Sequence, residues 1–146
     1  MPPPTTEISA AIEIAATPER VWAVLTDLAS YPQWNPVFRQ ASGQVAVGNR
    51  ITLTSTQPVT GHTMTVKVKV LTAEPATELR WTSSVLGLMI TKRSFTLIPA
   101  SGGTRLMQTQ TYRGLFTRFP PKTVSRIQIS FEAINQAIKE RAEDLR

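Results

Sequence analysis

Residues 122–145 are the segment that most limits what this chain can become. Val124, Ile127, Phe131, Ile134, Ile138 and Leu145 fall near one face of a helix, while Arg126, Glu132, Gln136, Lys139 and Glu143 fall elsewhere. Ile129 breaks the stripe and is expected at its flank. Such a helix extends about 36 Å, enough to cross a seven-stranded sheet. Pro120-Pro121 sets its entrance and stops the preceding loop from continuing as a strand. A long one-sided helix needs a large apolar partner surface, so the rest of the chain has to supply one.

The rest of the chain is mostly strand. Ile8, Ala10, Ile12 and Ile14 share one parity against Glu7, Ser9 and Glu13, the period of a half-buried strand. Thr17-Pro18-Glu19-Arg20 then gives a capping hydroxyl, a proline at the first helical position and an early acid. A helix is predicted over 18–28, ended by Ser30-Tyr31-Pro32-Gln33-Trp34-Asn35-Pro36, because each proline biases its predecessor away from helix. Strands are predicted at 37–41 and 50–57, separated by Gly43 and Gly48-Asn49. The clearest alternation follows, with Met64, Val66, Val68 and Val70 opposed by Thr63, Thr65, Lys67 and Lys69, and His62 on the dry parity. Further strands are predicted at 78–84, 91–98 and 104–114, the last two a hairpin closed at Ser101-Gly102-Gly103. The pattern predicts an α+β fold over a single 1–146 domain: a curved seven-stranded antiparallel sheet around the terminal helix, with short helices after the first strand.

Composition closes off several kinds of chemistry. The chain has 146 residues, 41% apolar and 18% charged, as an ordinary globule does. With no cysteine and one histidine it has no disulfide, no thiol nucleophile and no multi-histidine metal site. No metal or cofactor is expected. Sixteen Lys and Arg against ten Asp and Glu give +6, a balance that suits nucleic acid, anionic membrane or an acidic ligand. The basic residues are spread along the chain, with Arg113, Arg118, Lys122 and Arg126 as the densest group, which predicts a solvated basic surface and no nucleic-acid partner. The start, MPPPTTEIS, has no basic or apolar leader pattern, and no run approaches the length of a membrane span. A cytoplasmic location without stable membrane insertion is therefore expected; oligomeric state is not written in these residues.

The segment Thr17-Pro18-Glu19-Arg20-Val21-Trp22, running through Leu25-Thr26-Asp27-Leu28 to Tyr31-Pro32-Gln33-Trp34-Asn35-Pro36, resembles the opening of the START-like (SRPBCC) superfamily with the helix-grip, birch-pollen-allergen fold. Gly48, Leu79-Arg80-Trp81, Phe95-Thr96-Leu97 with Pro99, Gly103-Thr104-Arg105-Leu106, the Arg113-Gly114 step and the helix through Asn135 to Glu143 are similar to polyketide cyclase/dehydrase-type bacterial members. The resemblance implies a hydrophobic cavity between sheet and helix that binds lipids, polyketides or other apolar molecules. Its expected lining is Trp34, Met64, Val66, Val68, Leu79, Trp81, Phe95, Leu97, Ile127, Phe131 and Ile134.

Polar residues on inward strands complicate that wall. Gln108, Gln110 and Tyr112 alternate with Thr109, Thr111 and Arg113, so whichever face turns inward carries hydrogen-bonding atoms. Arg93 shares the parity of Phe95 and Leu97, and an inward arginine needs an acid or a ligand carboxylate or phenolate. Lys122 and Arg126, one helical turn apart, belong either to a solvated face or to the mouth of a site for an anion. The leading reading is a carrier or sensor of a small hydrophobic molecule. A second is a cyclase or dehydratase that positions its substrate and moves protons through His62, Tyr112 or Arg93. A third is a module that meets a membrane or a protein through its basic surface.

Overall fold

Thr17 opens the first helix, its hydroxyl accepting from the Arg20 amide at 3.2 Å with Pro18 behind it. The computed structural model describes residues 5–85, 87–115 and 117–144. In chain order they form β1 (Thr5–Ile14), α1 (Pro18–Thr26), a 3-10 turn (Leu28–Ser30), α2 (Tyr31–Trp34), β2 (Phe38–Ser42), β3 (Arg50–Thr56), β4 (Thr63–Glu74), β5 (Glu78–Val85), β6 (Met89–Ala100), β7 (Gly103–Gly114) and α3 (Pro121–Asp144). The seven strands make one antiparallel sheet in the order β1-β7-β6-β5-β4-β3-β2. This is the helix-grip architecture that the patterning predicts. Leu145, expected on the α3 stripe, lies outside the described residues.

Short helices follow β1 as expected: the first stops at Thr26, two residues before the predicted end, and Tyr31–Trp34 forms a further helical turn inside the proline-flanked segment. Pro32 sits in the first turn, where a missing N–H leaves no bond unmade. Tyr31 keeps helical angles because its ring is buried and its hydroxyl donates to the Leu25 carbonyl at 2.5 Å. Buried Asn35 then turns the chain into β2, its Oδ1 accepting from the amides of Val37 at 3.0 Å and Phe38 at 2.8 Å.

The β1 margin of the sheet and the end of β3, next to the opposite edge strand, are fastened to α3. At the β1 edge, Gln128 Nε2 donates to the Ser9 carbonyl at 3.0 Å, Lys139 Nζ to the Glu13 carbonyl at 3.1 Å, and Glu143 accepts from the Ala15 amide at 2.9 Å. At the other side, Gln57, just past β3, donates through Nε2 to the Arg126 carbonyl at 2.8 Å and to Ser130 Oγ at 3.1 Å. A sheet tied to one helix at both sides has to curl over it. Its inner face converges on Ile134, Ile138 and Ala142 of α3, with Leu25 of α1 and Ile51, Val70, Leu79, Phe95 and Leu106 from the strands in one continuous core.

The β4 alternation holds for only half the strand. Val68 and Val70 are buried and Val66 is half-buried, but Met64 is 49% exposed and His62 is exposed too, against the expectation that both belong to the dry side. Register supplies the reason. The β4–β5 ladder runs only from Lys69/Thr82 to Glu74/Glu78, so the Thr63–Val68 half of β4 pairs with β3 alone and burial fades from Val68 through Val66 to Met64. Ile129 is exposed, at the flank where its break in the stripe puts it.

Two adjacent glycines at the β6–β7 turn serve different ends. Gly102 has φ +81 and open space around it, whereas a Cβ on Gly103 would stand 2.0 Å from the Ile14 carbonyl oxygen. Gly103→Ala therefore forces β1 and β7 apart and is expected to cost about 3 kcal/mol or more. Gly102→Ala meets only backbone strain, about 1 kcal/mol. Urea unfolding of the two variants checks the ranking, and equal losses would refute the close approach.

Candidate functional site

The inner face of the sheet changes character along its length. Toward the β6–β7 turn it is dry, with Leu97 paired to Leu106 and Leu106 to Ile12. The next row is Leu79, Phe95, Gln108 and Ala10, then Trp81, Arg93, Gln110 and Ile8, then Ser83, Thr91, Tyr112 and Thr6. The interior thus becomes polar toward the N-terminal end of α3. The apolar core divides at the same place, with Ile8, Tyr112 and Phe131 forming a second cluster supported by Met89, Phe119, Val124 and Ile127.

Arg93 stands at this boundary. Its guanidinium lies between two rings, 4.6 Å from the Phe131 centroid and 5.1 Å from that of Phe38, and donates to Gln108 Oε1. Gln108, fully buried, donates through Nε2 to Asn135 Oδ1 at 2.8 Å and to the Phe131 carbonyl at 3.2 Å. Asn135 Nδ2 is buried with no hydrogen-bond partner among the described residues. The ion pairs of the described residues are Arg80–Glu78, Arg105–Glu13 and Lys139–Glu143, none of which involves Arg93. An interior cation held by rings and a neutral amide keeps unused capacity for an anion or a carbonyl oxygen. The residue as a whole is only half-buried, so its surroundings are open to solvent on one side.

Each titratable group here is displaced chiefly by burial. Desolvation lowers Arg93 from its ordinary range to about 10, partly offset by Tyr112 and Tyr31. Burial raises Tyr31 well above its ordinary range, with Arg93 opposing. It raises Tyr112 as well, with Arg93 and a hydrogen bond from Gln110 opposing. Both phenols therefore stay protonated at neutral pH.

The residues expected to wall a cavity are distributed unevenly. Val68, Leu79, Trp81, Phe95, Leu97 and Ile134 are buried in the main core, where Trp81 meets Phe95 edge to face at 5.5 Å and Phe38 at 6.1 Å. Phe131 and Ile127 belong to the second cluster, and Val66 packs at the margin of the first. Trp34 stacks edge-on against Tyr31 at 5.1 Å and lines an open groove of about 470 Å³ with Thr17, Arg20, Asp27 and Arg141. Two other open grooves, of about 500 Å³ beside Trp22 and Val45 and about 340 Å³ between β1 and α3, contain none of the expected wall. Under the sheet centre, Leu79, Phe95 and Ile134 are among the buried side chains of the main core. Tyr112 and Arg93 face into the polar half, but His62 sits outside it, at the exposed turn before β4.

Sequence patterning does not single out Asn135, Tyr31 or Phe38. Asn135 carried a usable signal: it follows Phe131 by four residues and precedes Ile138 by three, a lone amide on the apolar face of α3.

Residues 5–143 match the sequence model of the family described as polyketide cyclase / dehydrase and lipid transport. The chain belongs to that family. No curated protein matches it. Among solved structures it is similar to a START superfamily protein from Mycobacterium smegmatis, with TM-score 0.78 and 18% identity, covering 96% of this chain and 99% of that one. A protein from Rhodobacter sphaeroides is similar at TM-score 0.75 and 24% identity, covering 97% and 94%. The di-domain ARO/CYC StfQ from the steffimycin biosynthetic pathway is similar at TM-score 0.76 and 12% identity, covering 97% of this chain and 52% of that one. At these identities the structures establish the shared fold. No helix among the described residues of this family member is long and apolar enough to cross a membrane.

Two stability experiments probe the polar row. Arg93→Met removes a desolvated cation but leaves Gln108 Oε1 without its donor; the two effects offset, and stability should stay within about 1 kcal/mol of the parent. Phe95→Ala, one row deeper, should cost about 3–5 kcal/mol. For alkaline pH, the unfolded chain releases the Tyr31 proton near 10.0 while the folded chain retains it to higher pH. Stability from Tyr31 is thus intact below pH 10.0 and is lost above it. Arg93 acts in the opposite sense above about 10, where the unfolded chain holds a proton the folded one has shed. Tyr31→Phe should flatten the decline in urea midpoint between about pH 9 and about pH 11, and Arg93→Met should steepen it.

Proposed function

We propose that this protein binds a small, mainly apolar molecule bearing one anionic or strongly dipolar oxygen, in the half of the fold between the sheet and the N-terminal part of α3. The observation that carries this reading is Arg93, an interior cation among aromatic rings with no carboxylate within ion-pairing distance among the described residues. Family membership supports the same class of ligand. The ligand's oxygen takes the free donors of the guanidinium, and its apolar body replaces the contacts of Phe131, Tyr112 and Ile127 with one another. Affinity comes from desolvating that body, at about 25 cal/mol per Å² before association costs, and orientation comes from Arg93. A protein packed as described here makes room by moving side chains of the smaller cluster, leaving the main core in place.

Carrier or sensor work fits these groups better than proton transfer. His62 lies at an exposed turn, and both inward phenols are held in the protonated form. A cyclase acting by positioning would use the same Arg93 contact, so binding is the property to test first.

Titration with 1-anilinonaphthalene-8-sulfonate, an aromatic anion, and with the neutral dye Nile red separates the two parts of the site. The protein should bind both, and Arg93→Met should weaken the sulfonate about tenfold or more while leaving Nile red within about twofold. Equal affinity of the parent and Arg93→Met for the sulfonate, or no binding of either dye, would overturn the assignment. Native mass spectrometry of freshly purified protein would then give the mass of any retained natural ligand.

A further inference from the structure

The antiparallel register gathers three connections at one end of the molecule. Thr56 pairs with Thr63, Val85 with Met89, Met89 with Gly114 and Arg113 with Thr5, so the β3–β4 and β5–β6 turns and the β7–α3 connection lie together with the start of α3. Nine large apolar side chains of the described residues are exposed. Six of them stand here: Val59, Met64, Val85, Leu88, Ile90 and Leu115, between 38% and 56% accessible. An apolar rim of that kind is unusual on a soluble surface unless something covers it.

The charge at this end is one-sided. Arg113, Arg118 and Lys122 are exposed and Arg126 is half-buried, and none of the four is in an ion pair among the described residues. Glu7, opposite Thr111, is the carboxylate on β1 nearest this rim, and Glu132 stands midway along α3. The other carboxylates lie toward the far end: on and after α1, at the end of β1, around the β4–β5 turn and in the last turns of α3. Unpaired positive charge thus gathers at the apolar rim, whereas at the other pole the carboxylates are largely balanced by basic residues such as Arg20, Arg80, Arg105, Lys139 and Arg141.

We infer that this end docks reversibly on an anionic phospholipid surface, the rim side chains entering the interface and Arg113, Arg118, Lys122 and Arg126 facing the headgroups. Apolar and basic groups interleaved on hairpin tips match the two attractions that hold peripheral proteins to such membranes. A nucleic-acid phosphate backbone would use the cations and leave the six apolar side chains exposed. The inference stands on the surface alone and does not rest on the interior ligand, so either can fail without the other.

The test is co-sedimentation of the purified protein with large unilamellar vesicles, of phosphatidylcholine alone or with about 30% phosphatidylglycerol, at low ionic strength. Two matched pairs of surface substitutions locate the contact: Lys122→Glu against Arg50→Glu, and Leu115→Ser against Val47→Ser, the second member of each lying exposed at the opposite end. The parent should partition onto anionic vesicles about tenfold more than onto neutral ones, less so as salt rises. Lys122→Glu should lower partitioning about fivefold or more, Leu115→Ser several-fold, and the far-end partners by less than about twofold. Absence of binding, equal binding to neutral vesicles, or equal losses from the two members of a pair would overturn the inference. So would tighter, Lys122-dependent binding to duplex DNA than to the vesicles.

Discussion

A curved sheet stays curved when something holds it on both sides, and here α3 is tied to the β1 edge and to the end of β3 by bonds between side chains and backbone. Gln128 and Lys139 bond carbonyls on the β1 edge, Glu143 takes the Ala15 amide, and Gln57 reaches back from the end of β3 to the Arg126 carbonyl. The bonds at β1 satisfy edge groups that would otherwise be open to pairing with another chain. Their larger consequence is geometric. With the β1 edge and the end of β3 fixed to one helix, the inner positions of the strands between them converge, and whatever residue type occupies them is enclosed whether or not it is apolar.

That enforced enclosure explains why the fold was far more legible than the site. The stripe on α3 and the alternation in β1 and the start of β5 are properties of single elements, and each was readable from spacing alone. Burial along β4 was not, because Met64 and Val70 have the same parity and differ only in whether β5 lies alongside. A ladder's length is a pairwise property that one strand does not encode. The turn at Tyr31–Trp34 is a similar case: local preference before proline favours extended backbone, and burial of the Tyr31 ring with its bond to Leu25 prevails.

The polar row was half legible. Mixed parity in β7 predicted inward hydrogen-bonding groups, and Gln108 is such a group. Its partner could not be named, because Gln108 and Asn135 meet only once sheet and helix are folded together. The role proposed for Arg93 likewise depends on an absence, the lack of an ion-pairing carboxylate among the described residues, which a sequence containing ten of them does not disclose. Leu79, Phe95, Leu97 and Ile134, expected along the wall, belong to the main core.

The two ends of the molecule have opposite construction. At the β6–β7 turn end the interior is dry, and all three ion pairs of the described residues, Arg80–Glu78, Arg105–Glu13 and Lys139–Glu143, lie toward that side. At the other end Arg93, Gln110, Thr91 and Tyr112 face inward while Val59, Leu88 and Leu115 face water. Polar groups inside and apolar groups outside both oppose stability, so the first end has to supply the free energy that maintains the second. The main core, reaching from Leu106 and Ile138 across to Val70 and Ile51, is placed to do so, because none of its members needs to move for the smaller Ile8, Tyr112 and Phe131 cluster to rearrange. A fold divided in this way allows the smaller cluster to repack without the main core, which is what the binding proposed at Arg93 requires.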